Sequence, residues 1–261
     1  MIYDTHMHCQ FSCDSKMTLT EAVVAAAKLG IGIAVTEHWD YDYPTNPEAF
    51  TFDLEAYRSV MQEGRCEKVL VGLEIGMQRH TAAADNAVAG SAFLDYVLGA
   101  VHCMNGRDLY ESSCYFGRTR QEVVEEFLLE ATACLEQERD FDSLAHIDYI
   151  CRYWPFQGED RELRLQDAPH LFDRLFKLLA NSGKPMEINT RRLADPASAA
   201  ALAKIYKRYA ALGGKYCTLG SDAHLQEHVG RGIKQALRLA GECGLRPVYF
   251  INRKMHFMEV L

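Results

Sequence analysis

Histidine and carboxylate residues recur along this 261-residue chain at the ends of short apolar runs, where the strands of an α/β protein would finish. His6 and His8 end the first run, and because residues two apart point to the same side of a strand, both can reach one ion. Nine such groups exceed the three or four ligands that one zinc ion takes, so the pattern predicts a centre of two or three divalent ions, and imidazole with carboxylate suits zinc, iron or manganese. The candidate ligands are His6, His8, Asp14, His38, Glu74, His102, His146, Asp222 and His224.

Each candidate taken alone also has a structural explanation, because a strand-end histidine is more often a hydrogen-bonded structural residue than a ligand. That alternative is strongest for Asp14, which suits a turn, and for His146. Asp222 and His224 can share an ion if the chain between them stays extended. The whole set carries more weight, since unrelated structural histidines have no reason to occupy the same end of successive strands.

Three arginines are expected near the same rim. Arg152 follows the fifth predicted strand, and Arg191 and Arg192 follow the sixth. A guanidinium group matches phosphate with paired hydrogen bonds, so arginines beside a metal cluster favour a phosphate ester as substrate. For any one arginine, a surface ion pair is the alternative. His228, four residues after His224, is a further candidate for phosphate binding, with a solvent-facing loop position as its alternative.

These side chains need a scaffold in which many strands end on one face. Apolar runs alternate with helical patterns, which indicates parallel strands joined by helical crossovers. The predicted strands are residues 2–8, 31–36, 68–75, 95–101, 143–147, 185–189, 216–220 and 247–251. The predicted helices are residues 18–29, 53–62, 81–89, 119–138, 166–181, 196–212 and 232–243. Because polar residues follow nearly every strand, a barrel fits better than an open sheet, whose chemistry gathers at one switch point.

Composition limits the class of protein. The length suits one barrel domain spanning residues 1–261. A formal net charge of -8 argues against nucleic-acid and membrane-surface partners, and leaves a small phosphorylated molecule as the expected substrate. Nine cysteines without a Cys-x-x-Cys pair indicate reduced thiols. With no signal-peptide pattern and no apolar run near the ~20 residues of a membrane span, we expect a cytoplasmic protein, monomeric or homo-oligomeric.

An ordered series of short motifs between residues 4 and 224 resembles that of the polymerase and histidinol-phosphatase (PHP) superfamily. The matching motifs are Asp4-Thr5-His6-Met7-His8, Thr36-Glu37-His38, Gly72-Leu73-Glu74, Val101-His102, His146-Ile147-Asp148 and Gly220-Ser221-Asp222-Ala223-His224. Within the superfamily the chain is most similar to the monofunctional histidinol-phosphatases. The segments that carry this similarity are Phe11-Ser12-Cys13-Asp14, His146-Ile147-Asp148-Tyr149-Ile150-Cys151-Arg152-Tyr153 and Glu187-Ile188-Asn189-Thr190.

The resemblance implies a distorted (β/α)7 barrel with a trinuclear metal centre formed by the nine candidate ligands at the C-terminal ends of the strands. It implies hydrolysis of L-histidinol phosphate to L-histidinol and phosphate. Asp222 and His224 would be catalytic as well as ligands, and Asp222 is one candidate proton donor to the leaving alkoxide. Arg152 and either Arg191 or Arg192 would bind phosphate. The family pattern places small residues before a single arginine, whereas this chain has two arginines at once.

Three other functions stay open. The same site could hydrolyse another small phosphate ester or a nucleotide. It could cleave a C–N bond, as in metal-dependent amidohydrolases, although no lysine occupies a predicted strand end here. The chain could also be a noncatalytic metal-binding domain, against which the near-complete ligand set counts. Tyr153, Trp154 and Phe156 could supply aromatic surface for the substrate's imidazole ring, with a core or lid role as the alternative.

Overall fold

The computed structural model describes residues 1–137 and 140–259. The strands are β1 Tyr3–Asp4, β2 Gly32–Trp39, β3 Val69–Gly76, β4 Tyr96–Ala100, β5 Cys103–Met104, β6 Arg107–Asp108, β7 Ser143–Leu144, β8 Met186–Asn189, β9 Tyr216–Gly220, β10 Arg246–Ile251 and β11 Lys254–Phe257. The α-helices are α1 Leu19–Leu29, α2 Leu54–Gly64, α3 Ala82–Ala89, α4 Arg120–Gln137, α5 Pro169–Ser182, α6 Pro196–Ala211 and α7 Ile233–Cys243. Short 3-10 helices lie at Ser112–Cys114, Tyr149–Arg152, Gly158–Arg161, Leu165–Asp167 and Gln226–His228.

A nine-stranded sheet in the order β1-β2-β3-β4-β7-β8-β9-β10-β11 forms the centre of the fold. Every neighbouring pair from β1 to β10 is parallel. This confirms the predicted α/β class with parallel strands and helical crossovers. The last strand, β11, runs antiparallel to β10, and β5 with β6 forms a separate hairpin.

The segment that begins with β1 also hydrogen-bonds to β9, near the far end of the parallel set. The Thr5 amide donates to the carbonyl of Leu219 in β9 at 2.8 Å. Beyond β9, the Asp222 amide donates to the His6 carbonyl, again at 2.8 Å. These bonds join β1 to β9, the seventh of the eight parallel strands, as closure of a seven-stranded barrel requires, and they hold the segment after β9 directly beside the first histidine motif.

The core explains why the strands read as continuous apolar runs. All eight residues of β3 and all five of β4 are buried, which is typical of parallel strands covered on both faces. Helix α5 buries Phe172, Leu175 and Leu179, a spacing that puts them on one stripe of the helix. Among the described residues, no helix combines the length and apolar character needed to cross a membrane.

Several predicted boundaries shift. The first strand is shorter than residues 2–8, because only an isolated bridge between Met7 and Ala223 continues it. Strand β2 runs on to Trp39, so His38 lies within the strand instead of after it. The helix predicted at residues 166–181 begins at Pro169, because proline disfavours helical backbone in the residue before it. Residue 138 of the predicted fourth helix lies outside the described residues.

Three strands, β5, β6 and β11, were not predicted from the sequence. The β5–β6 hairpin has only two residues per strand, too few for an alternating pattern to show. Its turn is Asn105-Gly106, both with positive φ, as a tight hairpin turn requires. Strand β11 follows a turn at Asn252 and Arg253, whose φ values are 48° and 62°. Non-glycine residues in this conformation give no glycine signal in the sequence.

The N-terminal cap of α1 can be tested directly. The Thr18 hydroxyl accepts a hydrogen bond from the Glu21 amide at 3.2 Å, and the Glu21 carboxylate accepts one from the Thr18 amide at 2.8 Å. We expect Thr18→Ala to lower the free energy of unfolding in urea by about 1 kcal/mol, because the Glu21 amide loses the hydroxyl that accepts its hydrogen bond. Thr18→Ser keeps the hydroxyl and serves as the control. An unchanged urea midpoint in Thr18→Ala would contradict the assigned cap.

Candidate metal centre

Glu74 occupies the middle of the cluster of predicted ligands. Its Oε2 atom lies 3.4 Å from the Nε2 atoms of both His6 and His8 and 3.1 Å from Nδ1 of His38. This placement follows from the sheet, since His38 of β2 and Glu74 of β3 are paired in register. The Oε2 atom is buried, yet within the described part of the chain it accepts no hydrogen bond.

The other oxygen of the same carboxylate faces a second pair of imidazoles. Oε1 of Glu74 lies 2.8 Å from Nε2 of His146 and 3.5 Å from Nε2 of His102. His102 follows β4 and His146 follows β7, the next two strands of the sheet. One buried carboxylate therefore contacts five imidazole rings, an arrangement that suits shared coordination of more than one cation.

The structure brings the nine predicted ligands together. Eight of them form overlapping groups in which the ligating atoms lie within 4.8 Å of one another. The groups are His8, His38 and His224; His6, His146 and Asp222; His6, His8 and Glu74; and His38, Glu74 and His102. Asp14, the ninth, is half-exposed and places Oδ2 at 3.1 Å from Nε2 of His224 and 3.6 Å from Nε2 of His38. The candidate centre thus has several adjacent positions for a cation.

The backbone between Asp222 and His224 differs from the expected extended form. Asp222 has a φ of 55°, in the left-handed region. Oδ1 of Asp222 lies 3.7 Å from Nε2 of both His6 and His8, and Asp222 groups with His6 and His146, whereas His224 groups with His8 and His38. The two residues of this motif therefore serve different groups, although their side chains still approach to 3.6 Å.

Buried polar groups orient three of the rings through their Nδ1 atoms. The pairs are His6 with Glu187 at 2.7 Å, His102 with Asp40 at 2.6 Å and His8 with Ser12 at 3.2 Å. A partner at Nδ1 fixes the proton there and leaves the Nε2 lone pair for a metal ion. Sequence reasoning missed these partners. Weak signals existed, since Asp40 lies two residues after His38, just past the end of β2, and Glu187 opens the motif in β8.

The electrostatics give the candidate ligands different protonation states. Burial alone would raise the pKa of the Glu74 carboxyl, but the facing imidazoles of His6, His102 and His38 hold it well below its usual range. Burial lowers the pKa of the His8 imidazole, and neighbouring histidines lower it further. A metal ion binds carboxylate and neutral imidazole, so Glu74 and His8 need not release protons at neutral pH to bind one. At His6, His38 and His102 the facing carboxylates outweigh burial and raise the imidazole pKa, so these rings release protons when a metal ion binds.

A cleft of about 340 Å³ opens over the cluster. Arg152, whose side chain is only 8% exposed, lines it with Nη2 at 2.7 Å from Oδ2 of Asp222 and 3.3 Å from Oδ1 of Asn189. Its Nε atom is buried without a hydrogen-bond partner in the described part of the chain. Arg191 also lines the cleft, half-exposed, with Nη1 at 3.8 Å from Oδ1 of Asp222. Two cationic side chains therefore border the candidate metal centre.

Arg192 and His228, both predicted to bind phosphate, take other positions. The Arg192 guanidinium pairs with Asp148 at 3.1 Å and with Glu162 at 2.7 Å, so its hydrogen-bonding groups are engaged away from the cleft. His228 lies in the 3-10 helix Gln226–His228. The described residues that line the cleft include neither Arg192 nor His228. The side chains of Arg191 and Arg192 therefore lie in different surroundings, and the sequence alone cannot show which of the two lines the cleft.

Fold and site together define a barrel-type α/β protein with a multi-histidine candidate metal centre and arginines at its rim. The PHP domain family model matches residues 4–191, most of the chain. The chain belongs to the PHP domain family, as its ordered motifs predicted.

Individual relatives agree in function. A protein of Clostridium acetobutylicum described as a probable histidinol-phosphatase is 40% identical over 98% of this chain and 100% of its own length. The histidinol-phosphatase of Lactococcus lactis is 28% identical over 94% of this chain and 92% of its own. The crystal structure of the histidinol phosphate phosphatase from L. lactis, complexed with zinc, L-histidinol and phosphate, superposes with a TM-score of 0.91 at 27% identity, covering 98% of both chains.

The role of Glu187 in orienting His6 predicts a measurable loss of metal affinity. Glu187→Gln removes the charge that holds the Nδ1 proton of His6, so we expect zinc affinity to fall about 10- to 100-fold. Competition with a chromophoric chelator measures it. Glu130→Gln is the matched control, because Glu130 is also buried but pairs with Arg79. Equal zinc affinity in Glu187→Gln and the unmodified protein would rule out this role.

Proposed function

We propose that this chain is a metal-dependent phosphomonoesterase that hydrolyses L-histidinol phosphate to L-histidinol and inorganic phosphate. The observation that carries the proposal is one cleft that combines a buried histidine–carboxylate cluster with the nearly buried guanidinium of Arg152. The L. lactis relative, which holds zinc, L-histidinol and phosphate, shares the fold over nearly the entire chain. We further propose that residues 1–261 form a single domain whose substrate is a small phosphorylated molecule, not nucleic acid.

The donor set fits divalent metal ions. An unpaired carboxylate oxygen buried among imidazoles, as Oε2 of Glu74 is, costs free energy unless a cation meets it. Nitrogen and oxygen donors suit zinc, iron or manganese, and the overlapping groups around Glu74 suit two or three ions. When bound, such ions polarise the phosphoryl group and lower the pKa of water toward ~7. His6, His8, His38, His102, His146, His224, Asp14, Glu74 and Asp222 would hold them.

Arg152 is the side chain best placed to bind the phosphoryl oxygens. Asp222 and Asn189 hold Nη2, and the Tyr149 ring lies 5.0 Å from the guanidinium carbon. These contacts fix the guanidinium at the wall of the cleft, so Arg152 can stabilise charge on the phosphoryl group without reorganising. Arg191, half-exposed at the rim, would add a second cationic donor when substrate is present.

Asp222 does not suit the role of proton donor to the leaving alkoxide. Burial would raise the pKa of its carboxyl, but Arg152 and then His6 outweigh burial and hold that pKa well below its usual range. Asp222 is therefore a carboxylate at neutral pH. We assign it to holding Arg152 and a metal ion, and His224 to holding a metal ion beside Asp14.

Another small phosphate ester remains the second candidate substrate, because the same cleft and arginines would bind any phosphoryl group. An amidohydrolase function is less well supported. Among the described residues that line the cleft there is no lysine to act as a bridging or carbamylated ligand. A substrate panel containing L-histidinol phosphate, sugar phosphates and nucleotides ranks the phosphate esters by kcat/KM.

Removal of one ligand tests metal dependence. We expect His8→Ala to lower kcat/KM for L-histidinol phosphate by more than about 100-fold and to reduce bound metal, since even indirect partners of a ligand are worth 10- to 100-fold. Phosphate release and metal analysis are measured on the same sample, beside a chelated control. His256→Ala, an exposed histidine of β11, is the matched variant expected to keep both. Full activity and metal content in His8→Ala would refute the proposal.

Replacing Arg191 and replacing Arg192 should have different effects on activity and stability. We expect Arg191→Ala to lower kcat/KM roughly 10- to 100-fold, the worth of a charged hydrogen bond to phosphate. Arg192→Ala should leave kcat/KM within roughly threefold but lower the free energy of unfolding by about 3 kcal/mol, because Asp148 and Glu162 lose their buried partner. Steady-state kinetics and urea unfolding on both variants check this. The reverse pattern would place Arg192, not Arg191, at the substrate.

A further inference from the structure

We propose that Tyr153 is a specificity-determining residue that receives the ring of the leaving group, so that the cleft selects phosphomonoesters of ring-bearing alcohols. This inference rests on the proposed phosphomonoesterase function and adds a wall of the cleft that recognises the organic half of the substrate. Tyr110 and Tyr149 position Tyr153 for this role.

Aromatic rings form a column from the candidate metal centre to the surface. The ring centroid of His102 lies 4.8 Å from that of Tyr149, and Tyr149 lies 5.4 Å from Tyr153. Tyr153 in turn lies 5.1 Å from Tyr110, with the ring planes at 71°. These separations are those of favourable aromatic pairs. Tyr149 and Tyr153 line the cleft, and Tyr110 is 65% exposed.

The rest of the cleft wall offers little surface to an organic ring. All but three of the described residues that line it are candidate ligands or arginines. The three are Tyr149, Tyr153 and Leu225. Tyr149 already packs against His102 and carries the Arg152 guanidinium over its ring. With the phosphoryl group held at Arg152, the neighbouring Tyr153 is the aromatic surface that remains for the leaving group.

The loop that carries Tyr110 is tied to the metal centre despite the exposure of the ring. The Leu109 amide donates to the carbonyl of His102 at 3.0 Å, and the Tyr110 amide donates to Oδ1 of Asp108 at 2.8 Å. The Tyr115 hydroxyl donates to the Leu109 carbonyl at 2.6 Å. These bonds fix the backbone around Tyr110, although its ring is largely exposed and does not pack in the core. The contact of that ring with Tyr153 forms the outer end of the column.

The neighbouring aromatics are not available for this role. Trp154 is buried, and its indole N–H donates to the Arg161 carbonyl at 3.1 Å. Phe156 packs edge-on against Trp154, at a centroid separation of 5.4 Å. Of the three aromatics that the sequence placed near the substrate, Tyr153 is thus the one that the structure brings to the cleft.

A matched pair of substrates tests the inference. L-Histidinol phosphate and L-alaninol phosphate share the amino-alcohol phosphate, and only the first carries a ring. For the metal-loaded protein we expect Tyr153→Ala to lower kcat/KM for L-histidinol phosphate roughly tenfold, the size expected for a lost aromatic pair and its buried area. The value for L-alaninol phosphate should stay within roughly twofold. Tyr153→Phe keeps the ring and should retain the preference, as should Phe116→Ala, an exposed aromatic that does not line the cleft.

Each other outcome is decisive. An equal loss on both substrates in Tyr153→Ala would make the role structural, and no loss on either would remove Tyr153 from recognition. If the unmodified protein hydrolysed both substrates equally well, the inference would fail while the phosphatase chemistry stood. If the metal-loaded protein hydrolysed neither, the proposed function would be rejected and the inference with it.

Discussion

The site depends on one buried carboxylate, that of Glu74, placed among imidazoles at the ends of four neighbouring strands. An ionised carboxylate removed from water is stable only when positive charge and hydrogen bonds replace its hydration. The imidazoles cannot supply all of that charge as protons, because burial keeps the pKa of His8 and of His146 low. Divalent cations held between the rings and the carboxylate would balance the charge. The strand order that surrounds β3 with β2 and β4 is what creates this demand.

The same geometry constrains the backbone behind the ligands. A Cβ atom on Gly220 would lie 2.0 Å from Oε1 of Glu187, the atom that orients His6. A Cβ atom on Gly76 would lie 1.8 Å from Oδ1 of Asp40, the atom that orients His102. Glycine is needed at both positions because a carboxylate occupies the space of the side chain. The orientation of the His6 and His102 rings is therefore set by Glu187 and Asp40, which lie behind the candidate ligands and do not line the cleft.

Strand-end spacing was enough to predict that the candidate ligands lie together, because parallel strands of a closed sheet all finish at one face and His6, His38 and Glu74 each lie near such an end. It could not single out Glu187 or Asp40, since a polar residue in a strand or just after one looks the same whether it orients a ligand or stabilises the sheet. The contact between His6 and Glu187 joins residues 181 positions apart, and only the tertiary structure brings them together. Local conformation was also hidden: Asp222 and His224 could share an ion only if the chain between them were extended, but the backbone of Asp222 is left-handed.

That left-handed residue links the two halves of the chemistry. Oδ1 of Asp222 faces Nε2 of His6 at 3.7 Å, on the metal side, while Oδ2 meets Nη2 of Arg152 at 2.7 Å, on the phosphate side. Its amide donates to the His6 carbonyl, so the bond that joins the segments following β1 and β9 also sets the direction of the carboxylate. Under the proposed function, metal binding and phosphate binding are therefore not independent features on one scaffold. Both draw on a carboxylate whose position follows from closing the sheet.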